Sequence, residues 1–156
     1  MAPRQTAQDK IREHIESAPY LFEADRLATF KGFNYDKIKG AECTSDKVAR
    51  AGFYCTGKTS GKCAFCLKEL EFDAEDDPWS EHASRQTECP FVRLGKLDES
   101  TWNVKDTLTL AMHSIKMAKY EQQMEMLNQW KSTLSIDALA EKLTKVAVKP
   151  RKPRAK

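Results

Sequence analysis

Long apolar runs are missing from this chain. None of its 156 residues belong to a stretch of roughly eighteen or more apolar side chains, so no segment is long enough to cross a bilayer as a helix. The opening MAPRQTAQDK lacks the apolar segment of a secretory signal, which points to a cytosolic or nuclear setting with reduced thiols. There is no internal repeat. Cysteines number five, and none follows Cys89, so the second half offers no sulfur ligand for a further zinc domain of RING type. Acids are absent from the closing KPRKPRAK, which carries Lys149, Arg151, Lys152, Arg154 and Lys156. The whole chain has 26 basic and 23 acidic residues; without those five, 21 against 23 gives −2. Residues 147–156 therefore read as a disordered basic tail, either a solvated end or a weak nucleic-acid contact and nuclear address.

What is present divides into four parts. Residues 1–17 form a helical extension ending before Pro19. Residues 18–95 form a small module, 96–146 a linker and long helix, and 147–156 the tail. In the module, YLFEADRLATF predicts a helix with Leu21, Phe22, Leu27 and Phe30 available for burial. TSDKVARAG predicts a second, capped by Thr44 or Ser45 and stopped by Gly52. GFYCTGKTSGKCAFC predicts a β-hairpin, and the alternating KELEFD a third strand. DPWSEHASRQ predicts a helix with Asp77 as N-cap and Pro78 at its first position. The fold class is α+β: short helices around a three-stranded antiparallel sheet, then a long C-terminal helix. A module of about 75 residues has a modest core and usually needs a staple, here a metal rather than a disulfide.

Cys63 and Cys66 form C-x2-C; fifteen residues separate Cys66 from His82, and six separate His82 from Cys89. Three thiolates and one imidazole make a closed tetrahedral set for one structural zinc ion, with no open position for catalysis. A redox C-x-x-C would open a helix after a strand, whereas this pair precedes a strand. Cys43 and Cys55 fit no ligand spacing and read as buried free thiols. No Cys–His pair outside the set supplies a nucleophile and base, so the chain is not expected to be an enzyme.

Seven acids lie between Leu67 and His82: Glu69, Glu71, Asp73, Glu75, Asp76, Asp77 and Glu81. Strand alternation puts Glu69, Glu71 and Asp73 on one face and Leu70 and Phe72 on the other. Some of these acids are simply solvated, and Asp77 caps. The rest could draw a cation into a groove walled by Leu70, Phe72 and Trp79, suited to a free α-amino group.

Beyond Asn103 the pattern is helical with two apolar stripes. Val104, Leu108, Ala111, Ile115 and Ala118 form one, expected against the module or a dimer mate. Leu110, His113, Met117, Tyr120, Met124 and Leu127 form the other, suited to a seam with partner helices. Ser135 could start a new segment after a bend.

ATFKGF, VARAGFYCTG, KCAFC, DDPWSEH and CPFVRLGK together resemble the baculovirus IAP repeat (BIR), most of all its survivin-type branch in a nematode-like form. The resemblance covers residues 18–95. It implies zinc on Cys63, Cys66, His82 and Cys89, with Arg26 and Gly52 matching the family's arginine and glycine. It departs at Phe72, where the family usually has tryptophan, and in a strand one residue shorter before the acids. The resemblance further implies a groove that binds a histone N-terminal tail phosphorylated near its start. Asp76, Glu81 and Glu71, with Leu70 and Phe72, would take the amino terminus, and Lys68 and Arg85 the phosphate. It implies helix partners of borealin and inner-centromere-protein type meeting Leu110, Met117, Tyr120, Met124 and Leu127, and a tethered Aurora-type kinase. A homodimer would use Phe91, Val92, Leu94 and Leu97. Such a chromosomal passenger adaptor would act at the nucleus, centromere and spindle midzone, with a cytoplasmic pool. The other reading is an apoptosis inhibitor holding caspases or antagonist peptides in the same groove.

Overall fold

A computed structural model describes residues 6–133 and 136–147. The chain divides into two compact units, Met1–Lys119 and Tyr120–Lys156. In the first, helix α1 (Ala7–Glu16) opens with a capping box: Thr6 and Asp9 satisfy each other's backbone N–H groups. It buries no side chain.

The chain then enters the core. Leu21 is fully buried ahead of α2 (Glu23–Leu27), while Phe22 stays largely exposed. A 3-10 turn at Asn34–Lys37 leads to α3 (Ser45–Arg50), capped by Thr44. Three short strands follow, β1 (Phe53–Cys55), β2 (Ser60–Cys63) and β3 (Glu69–Glu71), antiparallel and in sequence order. Phe53 pairs with Cys63 and Ser60 with Glu71. β3 is thus an edge strand, with Leu70 inward and Glu69 and Glu71 exposed.

Helix α4 (Pro78–Arg85) begins at Asp77, whose carboxylate accepts the Trp79 N–H. Helix α5 (Pro90–Leu94) ends at Gly95 in the left-handed region. After a 3-10 turn at Glu99–Thr101, α6 runs Val104–Thr133 and α7 Ile136–Ala147. At the start of α6 the Asn103 N–H donates to the Asp106 carboxylate and the Asp106 N–H to the Asn103 side-chain oxygen, and Lys96 lies 2.6 Å from the Asp106 carboxylate. Leu134, Ser135 and the basic residues from Lys149 onward lie outside the described residues.

The module core collects Phe33, Val48, Phe53, Phe65, Leu70, Phe72 and Phe91 with Leu110 and Ala111 of α6. This corrects the reading of the stripes. The buried line of α6 is Leu110, Ala111 and Ser114, at helical i, i+3/i+4 spacing, and runs between the two stripes. Leu110 is a core residue here, with no surface left for a partner helix, while Val104 of the other stripe is exposed. Ser114 also donates its hydroxyl to the Pro19 carbonyl, holding the base of α6 to the N-terminal loop.

Candidate zinc centre and peptide groove

Four segments converge on one point. Cys63 ends β2, and the chain reverses immediately. Its carbonyl accepts the Leu67 N–H at 2.9 Å and its sulfur the Phe65 N–H at 3.3 Å. Leu67 takes φ +60° to close this turn, which brings Cys66 back beside Cys63. His82 comes from α4, and Cys89 is the residue at which α5 begins.

The ligand atoms of all four lie within 4.8 Å of one another. Tetrahedral zinc with bonds of about 2.3 Å to sulfur has S···S edges of about 3.8 Å. With a nitrogen at about 2.05 Å, the S···N edge is about 3.6 Å. Cys63 Sγ and Cys89 Sγ are 3.8 Å apart, and Cys66 Sγ and His82 Nε2 are 3.6 Å apart. The donor set therefore fits the ion. His82 donates from Nδ1 to the Ala51 carbonyl at 2.8 Å, which turns Nε2 toward the sulfurs. Burial, then the neighbouring sulfurs, push the Cys63 thiol well above its ordinary value. A dication reverses that preference and holds the sulfurs as thiolates.

The surroundings are aromatic. Phe53 lies 4.5 Å from the His82 ring, and Trp79 and Phe91 pack beside it. Gly52 has φ +98°, and a Cβ there would meet Phe91 Cδ1 at 2.9 Å. Arg26 is fully buried. It donates to the carbonyls of Ala49 at 2.7 Å, Leu21 at 2.6 Å and Tyr20 at 3.0 Å, and its Nη2 is 3.1 Å from Glu99.

The acidic face divides. Asp76 accepts the Asp73 N–H at 2.8 Å, bracing the turn after β3. Glu81 pairs with Arg85 at 2.6 Å one helical turn away, with Arg85 mostly exposed. Glu71 is exposed and bonded to the Thr59 hydroxyl, and Lys68 is half-buried just before β3. Leu70 and Phe72 are not groove walls. Phe72 is 2% exposed, edge-on to Phe53 at 5.4 Å, with its carbonyl bonded to the Tyr35 hydroxyl. The strand's alternation sends both side chains into the core, so of the three expected walls Trp79 alone is half-buried.

Phe91 is likewise a core residue, stacked on Phe65 at 5.0 Å, and has no surface for a dimer mate. Val92, Leu94 and Leu97 pack partly buried on the same core. Cys43 is fully buried, and burial, then Asp76, pushes its thiol up to about 12. Cys55 is only half-buried and donates to the Gly57 carbonyl.

Sequence reasoning missed Glu99, which no motif marks. It also missed α5, which Pro90 at its first position and Gly95 just past its end could have revealed.

A short-stranded sheet, flanking helices and a closed Cys3His set define a zinc-stapled BIR module. The family profile of the BIR, the Inhibitor of Apoptosis domain, matches residues 26–93. The chain is 51% identical over 135 residues to the Caenorhabditis elegans chromosomal passenger complex protein bir-1, covering 86% of this chain and 87% of that one. Another relative in that organism, Baculoviral IAP repeat-containing protein bir-2, is 39% identical over 151 residues, covering 94% of this chain and 49% of that protein. The Xenopus tropicalis Baculoviral IAP repeat-containing protein 5.1 is 42% identical over 82 residues, 49% of each chain. The chain belongs to the survivin-type BIR proteins.

Proposed function

We propose that this protein is a non-enzymatic adaptor of a chromosomal passenger complex. The observation that carries this is the similarity to the complex protein bir-1 along most of both chains. Zinc, when bound, fastens the module and leaves no open position for a substrate. Among the described residues no helix is long and apolar enough to cross a membrane. The adaptor works at chromosomes, the centromere and the spindle midzone.

The module reads the N-terminal tail of a histone phosphorylated at its third residue. Asp76, Glu81 and Glu71 take the free amino group, and Lys68 and Arg85 the phosphate. β3 pairs on one side only among the described residues, which leaves an edge for an extended peptide. Glu81 and Arg85 pair on α4, a carboxylate beside a guanidinium, which supports that reading. The second unit supplies the docking face for borealin-like and inner-centromere-protein-like helices, and through them an Aurora-type kinase. Tyr120, Leu127 and Trp130 are exposed apolar side chains on α6, and Leu139 and Leu143 on α7. Met124 is half-buried on the same helix, and Met117, on the first unit's part of α6, is half-buried as well.

Two measurements test this on the zinc-loaded full chain. Calorimetry compares a histone tail peptide phosphorylated at its third residue with unmodified and N-acetylated forms. The phosphorylated peptide binds more tightly. Asp76→Asn keeps the oxygen that braces Asp73 but drops the charge, and loses most of the affinity. Equal binding of the acetylated peptide removes the amino-pocket reading. Separately, charge substitutions at Met117, Met124 and Leu127 release partner helices from a co-purified complex and leave zinc content intact. Retention of every partner would end the helix reading. The match to the Inhibitor of Apoptosis domain supports a second reading, in which the groove holds caspases or antagonist peptides. Caspase inhibition by the purified chain, with no histone-peptide binding, would favour it.

A further inference from the structure

We propose that Glu99 is a positioning residue of the metal centre, acting through Arg26, so that the junction leading to the long helix governs how tightly the metal is held. Glu99 lies beyond the family-matched residues 26–93, in the 3-10 turn that precedes α6. Its Oε1 accepts two hydrogen bonds from the module, from the Glu23 N–H at 2.6 Å and from Arg26 Nη2 at 3.1 Å.

Arg26 lies against the segments that carry the three cysteines and against the helix end that orients His82. Its guanidinium carbon lies 5.7 Å from the ring centres of both Phe65 and Phe91. Phe65 sits between Cys63 and Cys66, and Phe91 two residues after Cys89. Arg26 Nε binds the Ala49 carbonyl at 2.7 Å, two residues before the Ala51 carbonyl that orients His82. One planar fork, wedged against two rings and tied to three carbonyls, thus sets the spacing of the Cys63–Cys66 turn, the end of α3 and the start of α5. Glu99 is the anionic partner that keeps the fork in place.

Charge leads to the same conclusion. A dication with three thiolates and a neutral imidazole carries a net charge of −1, since 2 − 3 = −1. Arg26 is the one buried lysine or arginine among the described residues, and it lies beside that centre. Burial lowers the Arg26 pKa and raises that of Glu99, so neither charge is at ease without the other. Removing the carboxylate leaves the guanidinium buried and short of one partner, and the cheapest relief is to shift it away from the rings and Ala49.

The test is metal competition against a chromogenic chelator with the full chain, alongside the absorption spectrum of the cobalt-substituted protein. Glu99→Ala weakens metal binding about 10- to 100-fold, the range for losing an outer-shell partner, and shifts the cobalt bands. Glu99→Gln keeps an oxygen for both donors but not the charge, and falls between the two. Asp98→Ala removes a cap of the same turn, to Ser100, without touching Arg26, and leaves affinity unchanged. The proposal is overturned if Glu99→Gln and Glu99→Ala hold metal within about twofold of the parent with unshifted cobalt bands, however far their melting temperatures fall. Glu99 would then be a brace alone. If Glu99→Ala does not fold, Glu99→Gln decides by the same readings.

Discussion

Gly52→Ala should cost this protein about 2–5 kcal/mol, the sum of two separable effects. Gly52 holds φ +98°, a conformation that penalises any L side chain by about 1–2 kcal/mol. The new Cβ would also lie 2.9 Å from Phe91 Cδ1 and 3.0 Å from Cε1. The Phe91 ring cannot swing clear: it is 1% exposed, stacked on Phe65 at 5.0 Å and edge-on to Trp79 at 5.8 Å. Overpacking of that kind costs about 1–3 kcal/mol. At about 2–4 °C per kcal/mol for a chain of this size, the melting temperature falls by roughly 4–20 °C. Near-UV circular dichroism of the zinc-loaded chain reads the melt, and a zinc dye reads metal release. The two should move together, because the ring that must yield, Phe91, stands two residues after Cys89 and stacks on the His82 ring. Gly40→Ala separates the effects, since Gly40 has φ +84° but nothing within 4 Å of a new Cβ. It should lose only the conformational part, about 1–2 kcal/mol. Equal losses at both positions would refute the packing argument, and an unshifted Gly52→Ala melt would refute both parts.

Phe72→Leu lowers stability by about 1 kcal/mol or more yet leaves peptide affinity unchanged in the folded protein, because Phe72 faces the core. Calorimetry decides, and a large loss of affinity without unfolding would return Phe72 to the groove. Hydrogen bonds from Lys96 and then Asn103 hold the Asp106 carboxyl below its ordinary 3.8. A depressed carboxyl favours folding above its unfolded value, so this support for the base of α6 is present above pH 3.8 and fades as pH falls below it. Asp106→Asn should flatten that part of an acid titration followed by Trp102 fluorescence. In the zinc-loaded chain, iodoacetamide should label Cys55 well before Cys43, which is fully buried with its thiol pushed up to about 12. Peptide mass spectrometry gives the order, and equal labelling would mean the core opens readily.

The zinc set was legible in the sequence because ligand chemistry fixes residue type and spacing together. The caps were legible for a similar reason: Thr44 and Asp77 act on N–H groups two or three residues away. Alternation through Glu69, Leu70 and Glu71 correctly separated the faces of β3. It could not say that the inner face would be consumed by the core, since that depends on Phe53 and Tyr35, distant in sequence. The α6 stripes were legible in part: Ala111 and Ile115 of the first do pack on the module, whereas the burial of Leu110 from the second was missed. Helical spacing finds apolar rows, but Leu110 is buried because the module lies against that side of the helix. Glu99 left no trace at all, since its partners Glu23 and Arg26 stand 76 and 73 residues away.

The position of β3 at the sheet's edge has a consequence for solubility. Unpaired backbone along an edge will take a strand from any chain, including a second copy of this one. Glu69 and Glu71 stand exposed on that strand, and Asp73 follows just beyond it. Two such edges brought together would set carboxylate against carboxylate. The same acids thus oppose polymerisation of the molecules through that edge.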